Sequence, residues 1–524
     1  MIRRCTALTV LAMMFALPVS AEDTVIHFDV NDEEGNPIPC RIHLRTKGGE
    51  AIRVERLPSW HDHFVCSGQV SVPVNAGDFA WEIERGPEYT RAAGVLRVDA
   101  DQESRVRAGL SRIANLREEG WIGGDLHVHR PAHELETLMR CEDLDFASVI
   151  EWWNGGGNEL GPAASPIVAF DGHRIGELRG GEDEREGGAL LYFGLGRPLD
   201  IRSESKEVPS PMRFVNQARA MNSKVWIDIE KPFWWDVPTW IASGQMNSIG
   251  IANNHMCRDQ VLASEAWGRP RDEKRLTGLK GNGYWTQEIY YHLLETGIRL
   301  PPSAGSASGV LPNPVGYNRV YVHVGDQNFT RDAWFTGLSE GRCFVTNGPL
   351  LRVTADGEHA GKVFKLSGRS PLQVDLAIQL VSNDPVSTIE VIHNGTIVER
   401  IDCEGGRRSY SAKLAVSEPG WFLLRTVADV DHTFRFASTA PWYIDGPDGE
   451  RRIGKSSAEF FLRWLEERME RVRGNVDDPD EQRAVLMPHR KALEFWQRRI
   501  QAATTPGVPI EQTSPGPGLT ARDE

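Results

Sequence analysis

The chain has 524 residues, of which 40% are hydrophobic and 25% are charged, and its formal net charge at pH 7 is −14. This length predicts about three globular domains, and the composition excludes a chain that is collagen-like or disordered throughout. The acidic balance argues against a nucleic-acid partner and against binding to an anionic membrane surface.

The first 21 residues have the layout of a secretory signal peptide. Arg3 and Arg4 precede an apolar run at 7–19, and Val19-Ser20-Ala21 is a small-residue cleavage site. We therefore predict a secreted or periplasmic protein. The alternative is an uncleaved anchor, although the run is too short for a transmembrane helix. No later segment is long and apolar enough to be a membrane span.

Cysteine usage suggests one candidate pair. Cys40 and Cys66 fall in the same predicted module, and an exported chain permits disulfides. No C-x-x-C motif occurs, so the sequence gives no support to a zinc site built from thiolates.

The composition and hydrophobic patterning divide the chain into five parts after the signal peptide. We predict an N-terminal β-sandwich at 22–115, an α/β segment at 116–350, a second β-sandwich at 351–445, a helical segment at 446–502 and a disordered tail at 503–524.

The α/β segment alternates short apolar runs with helical patterns. Strand patterns occur at 124–129, 145–152 and 225–230, and a helical pattern runs over 212–221. This alternation predicts a parallel sheet or an α/β barrel.

The motif Gly124-Asp125-Leu126-His127-Val128-His129 is the strongest chemical signal. Side chains alternate along a strand, so His127 and His129 share one face and can grip one metal ion. An isolated H-x-H is a weak signal. This one ends an apolar strand directly before a loop.

Polar residues of the metal-ligand type recur at the ends of later predicted strands. They are Glu151, Glu182 after a Gly180-Gly181 turn, Asp228, Glu230 and His255. In an α/β barrel the carboxyl ends of the strands form the rim on which active sites are built. The alternative is that each is a solvated loop residue. The charge run at 182–186 is interpreted, apart from Glu182, as a solvated loop.

The segment 116–350 resembles the PHP (polymerase and histidinol phosphatase) superfamily, in particular its secreted CehA/McbA branch. The resemblance rests on 124–129 and on 344–349, Phe-Val-Thr-Asn-Gly-Pro. It implies a distorted α/β barrel that binds two or three ions of zinc, manganese or iron. It also implies hydrolysis of phosphoester and related ester bonds.

The resemblance assigns His127 and His129 to the first ligand pair and Glu182 to the bridging carboxylate. Other positions depart from the family. Ile150-Glu151-Trp152 stands where the family has Thr-Asp-His, and Lys231-Pro232 stands for His-Pro. Gly305-Ser306-Ala307-Ser308-Gly309 replaces Gly-Ser-Asp-Ser-His, which removes two ligands.

These departures predict a reduced site. We expect one divalent ion (zinc, manganese or iron) on His127, His129 and Glu182, or no metal at all. Glu151 or Glu230 would assist as ligand or general base, and Lys231 would stabilise developing negative charge.

Three further features have alternative interpretations. Trp234 and Trp235 follow Lys231 and could form aromatic pocket walls, with His255, for a glycan or another small ligand, or they could be core residues. Asp228 and Glu230 could be a glycosidase pair. A second H-x-H at 61–63 has no evident carboxylate cluster, and packing is the favoured interpretation.

The sequence therefore predicts a PHP-like α/β barrel between two β-sandwich modules, followed by a helical segment. The first functional hypothesis is a metal-dependent hydrolase. The second is an inactive relative that binds a glycan or other small ligand through a Trp-rich rim.

Overall fold

The computed structural model describes residues 24–100, 102–154, 156–157, 165–203, 205–325, 329–367, 370–403 and 408–510. The predicted signal peptide lies outside the described residues. Within them the chain is rich in β-structure, with several sheets and seven α-helices.

The N-terminal module consists of eight strands. They are β1 (Thr24–Asn31), β2 (Cys40–Thr46), β3 (Ser59–Trp60), β4 (His63–Cys66), β5 (Gln69–Val74), β6 (Gly77–Glu84), β7 (Ala92–Val98) and β8 (Ser104–Gly109). A three-stranded sheet, β5-β1-β8, and a five-stranded sheet, β3-β4-β2-β6-β7, share one apolar core. In β1 alternate residues are buried, which is the period-2 pattern that predicted this β module.

The candidate cysteine pair lies in this module. Cys40 of β2 and Cys66 of β4 are register partners on neighbouring antiparallel strands, with their Sγ atoms 3.8 Å apart. Both are buried and are present as thiols. The two cysteines predicted as the candidate disulfide pair thus lie side by side, and the structure contains no covalent bond between them.

The segment that carries the candidate site follows. Its strands are β9 (Trp121–Val128), β10 (Phe146–Trp153), β11 (Gly156–Gly157), β12 (Ile167–Phe170), β13 (Arg174–Arg185), β14 (Gly188–Phe193), β15 (Trp226–Ile229), β16 (Ser248–Ala252), β17 (Pro302–Ala304), β18 (Arg319–His323) and β19 (Cys343–Thr346). Its helices are a 3-10 turn (Ala132–Glu134), α1 (Leu135–Cys141), α2 (Met212–Met221), α3 (Val237–Ser243), α4 (Gly281–Glu295) and α5 (Arg331–Ser339).

Strand directions in this segment are mixed. β9, β10 and β13 are parallel neighbours, and so are β15, β16 and β17. Antiparallel pairs join β13 to β14 and β14 to β15. The α/β prediction is thus confirmed in its coarser form, and the predicted helix over 212–221 coincides with α2.

Strand β13 corrects the prediction for the acidic run at 182–186. We predicted a turn at Gly180-Gly181 and a solvated loop beyond Glu182, but one strand continues to Arg185. Asp183 and Arg185 are buried and pair with each other, with Nε and Oδ1 2.6 Å apart. A run of charged residues suggests exposure to solvent when its ion pairs are not known. The pairing of Asp183 with Arg185 explains why both are buried.

The C-terminal module is again built from strands. They are β20 (Leu350–Ala355), β21 (Val363–Lys365), β22 (Leu372–Val381), β23 (Thr388–His393), β24 (Thr396–Asp402), β25 (Ser409–Val416), β26 (Gly420–Val427), β27 (Phe436–Thr439) and β28 (Trp442–Asp445). β20, β22 and β25 form one sheet. β19 pairs with β27, so hydrogen bonding continues from the site segment into this module.

Two long helices, α6 (Lys455–Asn475) and α7 (Pro479–Gln501), form the predicted helical segment. Ser456 and Glu459 match a capping-box pattern, yet Gly454 is the N-cap and no side chain caps the helix. The amides of Lys455 and Ser456 instead donate to the carbonyls of Thr505 and Pro506, at 2.9 and 3.0 Å.

This contact also corrects the predicted disordered tail. Residues 504–506 pair with residues 453–456, where α6 begins, and Ile510 is fully buried. The remaining residues of the predicted tail, 511–524, lie outside the described residues. Among the described helices, none combines the length and apolarity that a bilayer crossing requires.

Candidate metal centre

A buried carboxylate, Asp125, holds the end of β9 in place through hydrogen bonds. Asp125 accepts hydrogen bonds from the backbone amides of His127 at 2.9 Å, Ser306 at 3.1 Å and Gly316 at 2.7 Å. These bonds tie the strand end to the segment that begins at Gly305. The backbone that carries both histidines is therefore held on two sides.

His127, His129 and Glu182 converge on one point. His127 Nε2 lies 3.0 Å from His129 Nε2 and 3.4 Å from Glu182 Oε2, and His129 Nε2 lies 3.1 Å from the same carboxylate oxygen. His127 lies on β9, His129 directly follows that strand, and Glu182 lies on β13, which is joined to β9 through β10. The structure thus brings together all three residues predicted to hold a metal.

The spacing of these atoms suits a transition-metal ion. Bonds of about 2.0–2.2 Å at tetrahedral angles place ligand atoms about 3.3 Å apart. The three observed separations lie close to this value. Two imidazoles and one carboxylate are also a donor set that zinc, manganese and iron accept.

The charges around His127 favour a cation. Burial alone would lower the pKa of His127, but the carboxylates of Glu182 and Glu230 raise it to about 10. Burial likewise opposes ionisation of Glu182, and His127 and His129 hold the pKa of that carboxyl well below its usual range. The cluster is therefore more favourable with a bound proton or metal cation than without one.

Glu230 lies behind His127 and is heavily hydrogen-bonded. Its Oε1 lies 3.4 Å from His127 Nδ1 and accepts from Asn254 Nδ2 at 2.7 Å. Its Oε2 accepts from Trp234 Nε1 at 2.9 Å and from Lys231 Nζ at 2.5 Å, and Lys231 also contacts Oε1. A carboxylate on the far nitrogen of a metal-ligating histidine fixes the tautomer of that histidine.

The backbone of 305–309 packs directly on the two histidines. The His129 amide donates to the Ser308 carbonyl at 2.7 Å. A Cβ atom at Gly305 would overlap with the His127 side chain, and one at Gly309 would overlap with the His129 backbone. This segment lacks ligand atoms at Ala307 and Gly309, and its glycines allow the close approach.

A second group of three metal-type residues lies in the N-terminal module. Among the described residues, His43, Asp62 and His63 form the other group whose ligand atoms approach within 4.8 Å. From the sequence alone, no carboxylate cluster is evident for the H-x-H motif at 61–63 that contains His63. The carboxylate in this group is Asp62, within the motif itself, and His43 comes from β2, which pairs directly with the strand β4 that carries His63.

The second group differs from the first in its electrostatics. His43 Nε2 accepts from Arg41 Nε at 3.0 Å, so its proton is on Nδ1, which donates to Asp62 Oδ2 at 3.0 Å. Burial lowers the pKa of His63 to about 3 and outweighs the hydrogen bond to Asp62, which acts in the opposite direction, while His43 and Arg41 add to the lowering. This environment repels a cation, so we interpret the group as a structural network.

Two of the predicted assisting residues lie outside the ligand group. Glu151 lies on β10, two residues before the end of that strand, and is buried, and burial raises the pKa of its carboxyl. His255 is buried against Phe233, with their ring centroids 5.3 Å apart. Burial, together with Lys231, lowers the pKa of His255 to about 3.

Glu184 is a site residue that sequence reasoning missed. It lies two residues after Glu182 on β13 and is half-buried, and burial raises the pKa of its carboxyl to about 6, with Glu182 and Glu230 adding to the effect. If 182–186 had been assigned as a strand, the alternation of side chains would have placed Glu184 on the same face as Glu182.

Trp234 and Trp235 do not form an open rim. Trp234 is 1% exposed and stacks on Trp267, with centroids 4.8 Å apart, and the Lys231 ammonium lies 4.6 Å above its ring. Trp235 is 7% exposed and is covered by Arg471 of α6. The prediction of aromatic pocket walls thus gives way to its alternative, because the helical segment covers this loop.

No family model matches the chain, and no curated protein matches it. A fibronectin(III)-like module of Clostridium thermocellum CbhA is 22% identical over 18% of this chain and 93% of its own, with a TM-score of 0.14. The apo structure of Bacteroides uniformis β-glucuronidase 3 is 9% identical over 78% of this chain and 60% of its own, with a TM-score of 0.15. Scores this low carry no argument about fold or function.

Proposed function

We propose that this protein is an exported metal-dependent hydrolase of ester or phosphoester bonds, built on a distorted PHP-like barrel of the CehA/McbA type. One divalent ion, of zinc, manganese or iron, would be held by His127, His129 and Glu182. The observation that carries the proposal is the convergence of their three ligand atoms at separations of 3.0–3.4 Å.

The bound ion would supply Lewis acidity to an ester oxygen and lower the pKa of water. The remaining roles belong to the chain. Lys231 lies on Glu230 beside the ligand group, where its ammonium would stabilise negative charge that develops on the substrate. In a two-metal site a second metal ion would supply positive charge, and in this proposal Lys231 supplies that charge instead.

Glu230 is better suited to positioning than to proton transfer. Both of its oxygens are already engaged by Lys231, Asn254 and Trp234, and it faces His127 Nδ1. Glu184 is half-buried on the same strand as Glu182 and is the better candidate to accept or donate a proton at the reacting oxygen. Glu151 remains a possible assisting carboxylate in this proposal.

The alternative of a glycan bound through a Trp-rich rim has less support. Trp234 and Trp235 are buried, so neither presents a free face for a sugar ring to stack on.

Metal content tests the proposal. The full chain, purified without chelators or a histidine tag, should hold about one equivalent of a divalent ion, and His127→Ala should lose it because one of three ligands is gone. His63→Ala, in the cluster that repels cations, is the matched control and should keep the ion.

Elemental analysis of the three proteins decides the outcome. Absence of metal from the wild-type protein after incubation with zinc, manganese and iron would refute the proposal. Metal that survives in His127→Ala would show that the ion lies elsewhere. A metal-loaded protein should then release product in a screen of esters and phosphoesters.

A further inference from the structure

The segment that follows β16 brings two hydrogen-bond acceptors to the candidate centre. Asn254 Nδ2 donates to Glu230 Oε1 at 2.7 Å. A carboxylate only accepts, so this bond fixes the orientation of the amide and makes Oδ1 an acceptor. Oδ1 is buried and has no hydrogen-bond partner among the described residues.

The second acceptor is a ring nitrogen of His255. A hydrogen bond from the ring to the backbone of Ser264 occupies one nitrogen as a donor. Nδ1 then carries a lone pair and can accept a hydrogen bond. It too is buried without a partner in the part of the chain that the structure describes. Asn254 is 4% exposed and His255 is 5% exposed.

Both acceptors lie beside the reactive groups. Asn254 contacts Glu230, which in turn contacts Lys231 and faces His127. The His255 ring packs against Phe233, two residues after Lys231, with the ring centroids 5.3 Å apart. The large majority of buried side-chain polar atoms have a hydrogen-bond partner, so two unsatisfied acceptors on neighbouring residues of one site point to a ligand that donates.

The neighbouring charges decide which kind of donor fits. Lys231 is a cation that already engages both oxygens of Glu230, and it would repel an ammonium group or a second metal ion beside it. A neutral donor has no such cost. A hydroxyl group is such a donor, and it can also accept a hydrogen bond from a neighbouring ammonium.

We infer that the substrate carries hydroxyl groups that donate to Asn254 Oδ1 and His255 Nδ1. The substrate class is a hydroxylated ester, of the polyol or sugar type, rather than a plain alkyl ester. This inference rests on the proposed function for the bond that is cleaved, but the hydroxyl recognition can be measured without cleavage.

The test compares two phosphonates that differ only in their hydroxyl groups and that the protein cannot hydrolyse. We expect the zinc-loaded full chain to bind 3,4-dihydroxybutylphosphonate at least about tenfold more tightly than butylphosphonate in calorimetry. A site that offers acceptors to a hydroxyl discriminates against the analogue that lacks it.

His255→Phe keeps the ring and removes the acceptor, so the ratio of the two affinities should fall toward one. His359→Phe is the matched control. His359 Nδ1 is also without a partner in the described structure, but His359 lies against Trp121 and His323, in a cleft lined by C-terminal strands. This variant should keep the wild-type ratio.

Equal affinities in the wild-type protein, binding of neither phosphonate, or an unchanged ratio in His255→Phe would each overturn the inference. If the preference for hydroxyl groups holds but no ester is hydrolysed, the proposed hydrolase function fails and hydroxyl recognition stands.

Discussion

At the scale of single residues, the surroundings of a histidine decide what its chemistry can be. His127 and His63 are both buried and both belong to H-x-H motifs. Two carboxylates raise the pKa of His127 to about 10, whereas burial, aided by His43 and Arg41, outweighs Asp62 and lowers the pKa of His63 to about 3. The same motif therefore attracts a cation in one module and repels it in the other.

The raised pKa of His127 predicts a pH-dependent metal affinity. With a pKa of about 10, His127 carries a proton at neutral pH in the metal-free protein, and an ion binds only the neutral imidazole. Affinity for zinc should therefore rise about tenfold per pH unit through the neutral range, with about one proton released per ion.

Competition titrations with a zinc chelator at three pH values between 6.5 and 8.5 measure this slope. Glu230→Gln is the control, because losing one of the two carboxylates lowers the pKa of His127 and flattens the slope. An affinity that does not change with pH in the wild-type protein would contradict the assignment of His127 as a ligand.

At the scale of elements, strand β13 delivers Glu182 to the centre because a glycine lets a large ring lie against it. Gly181 is the register partner of Trp152 on β10. A Cβ atom at Gly181 would lie within the indole ring of Trp152. The two strands can pack at this spacing only with glycine at this position.

Gly181→Ala should therefore disturb the strand that carries the carboxylate ligand. We expect a loss of about 1–3 kcal/mol in the free energy of unfolding and weaker zinc binding, since Glu182 is the next residue. Gly196→Ala is the control, because a Cβ there meets no heavy atom within 4 Å. Urea unfolding and zinc titration of both variants measure the effect, and an undisturbed Gly181→Ala would refute the packing argument.

At the scale of the whole molecule, the C-terminal helices fasten the loop that carries Lys231. Arg468 of α6 donates to both oxygens of Glu207, at 2.8 and 2.5 Å, and its Nε donates to Asp236 at 2.7 Å. Asp236 directly follows Trp235 and is the N-cap of α3. A segment more than 200 residues away in the chain thus holds one side of the candidate centre.

Removing this buried cation should be costly. Arg468→Met leaves Glu207 and Asp236 buried without their partner, and we expect a loss of about 3–5 kcal/mol in the free energy of unfolding. Arg483→Met removes an exposed ion pair with Asp480 and should change stability by less than about 0.5 kcal/mol. Equal losses in urea unfolding of the two variants would contradict this account.

Much of the fold follows from local patterns in the sequence. The patterning over 22–115 predicted a β module, and the helical pattern over 212–221 predicted α2. The metal-type group was also predicted from His127, His129 and Glu182. These predictions depend on the alternation of residues along a strand and on the chemistry of imidazole and carboxylate groups. Both are properties of a few neighbouring residues, so they can be recognised from the sequence alone.

The tertiary structure alone decided which of these residues meet and what surrounds them. It buried Asp183 and Arg185 as a pair, covered Trp235 with α6, and placed Arg41 near the buried His63 while placing two carboxylates on His127. The reason is physical: burial and pKa depend on groups that lie far apart in the chain. A sequence names a residue's chemistry, and only the packed neighbours determine whether a cation can bind there.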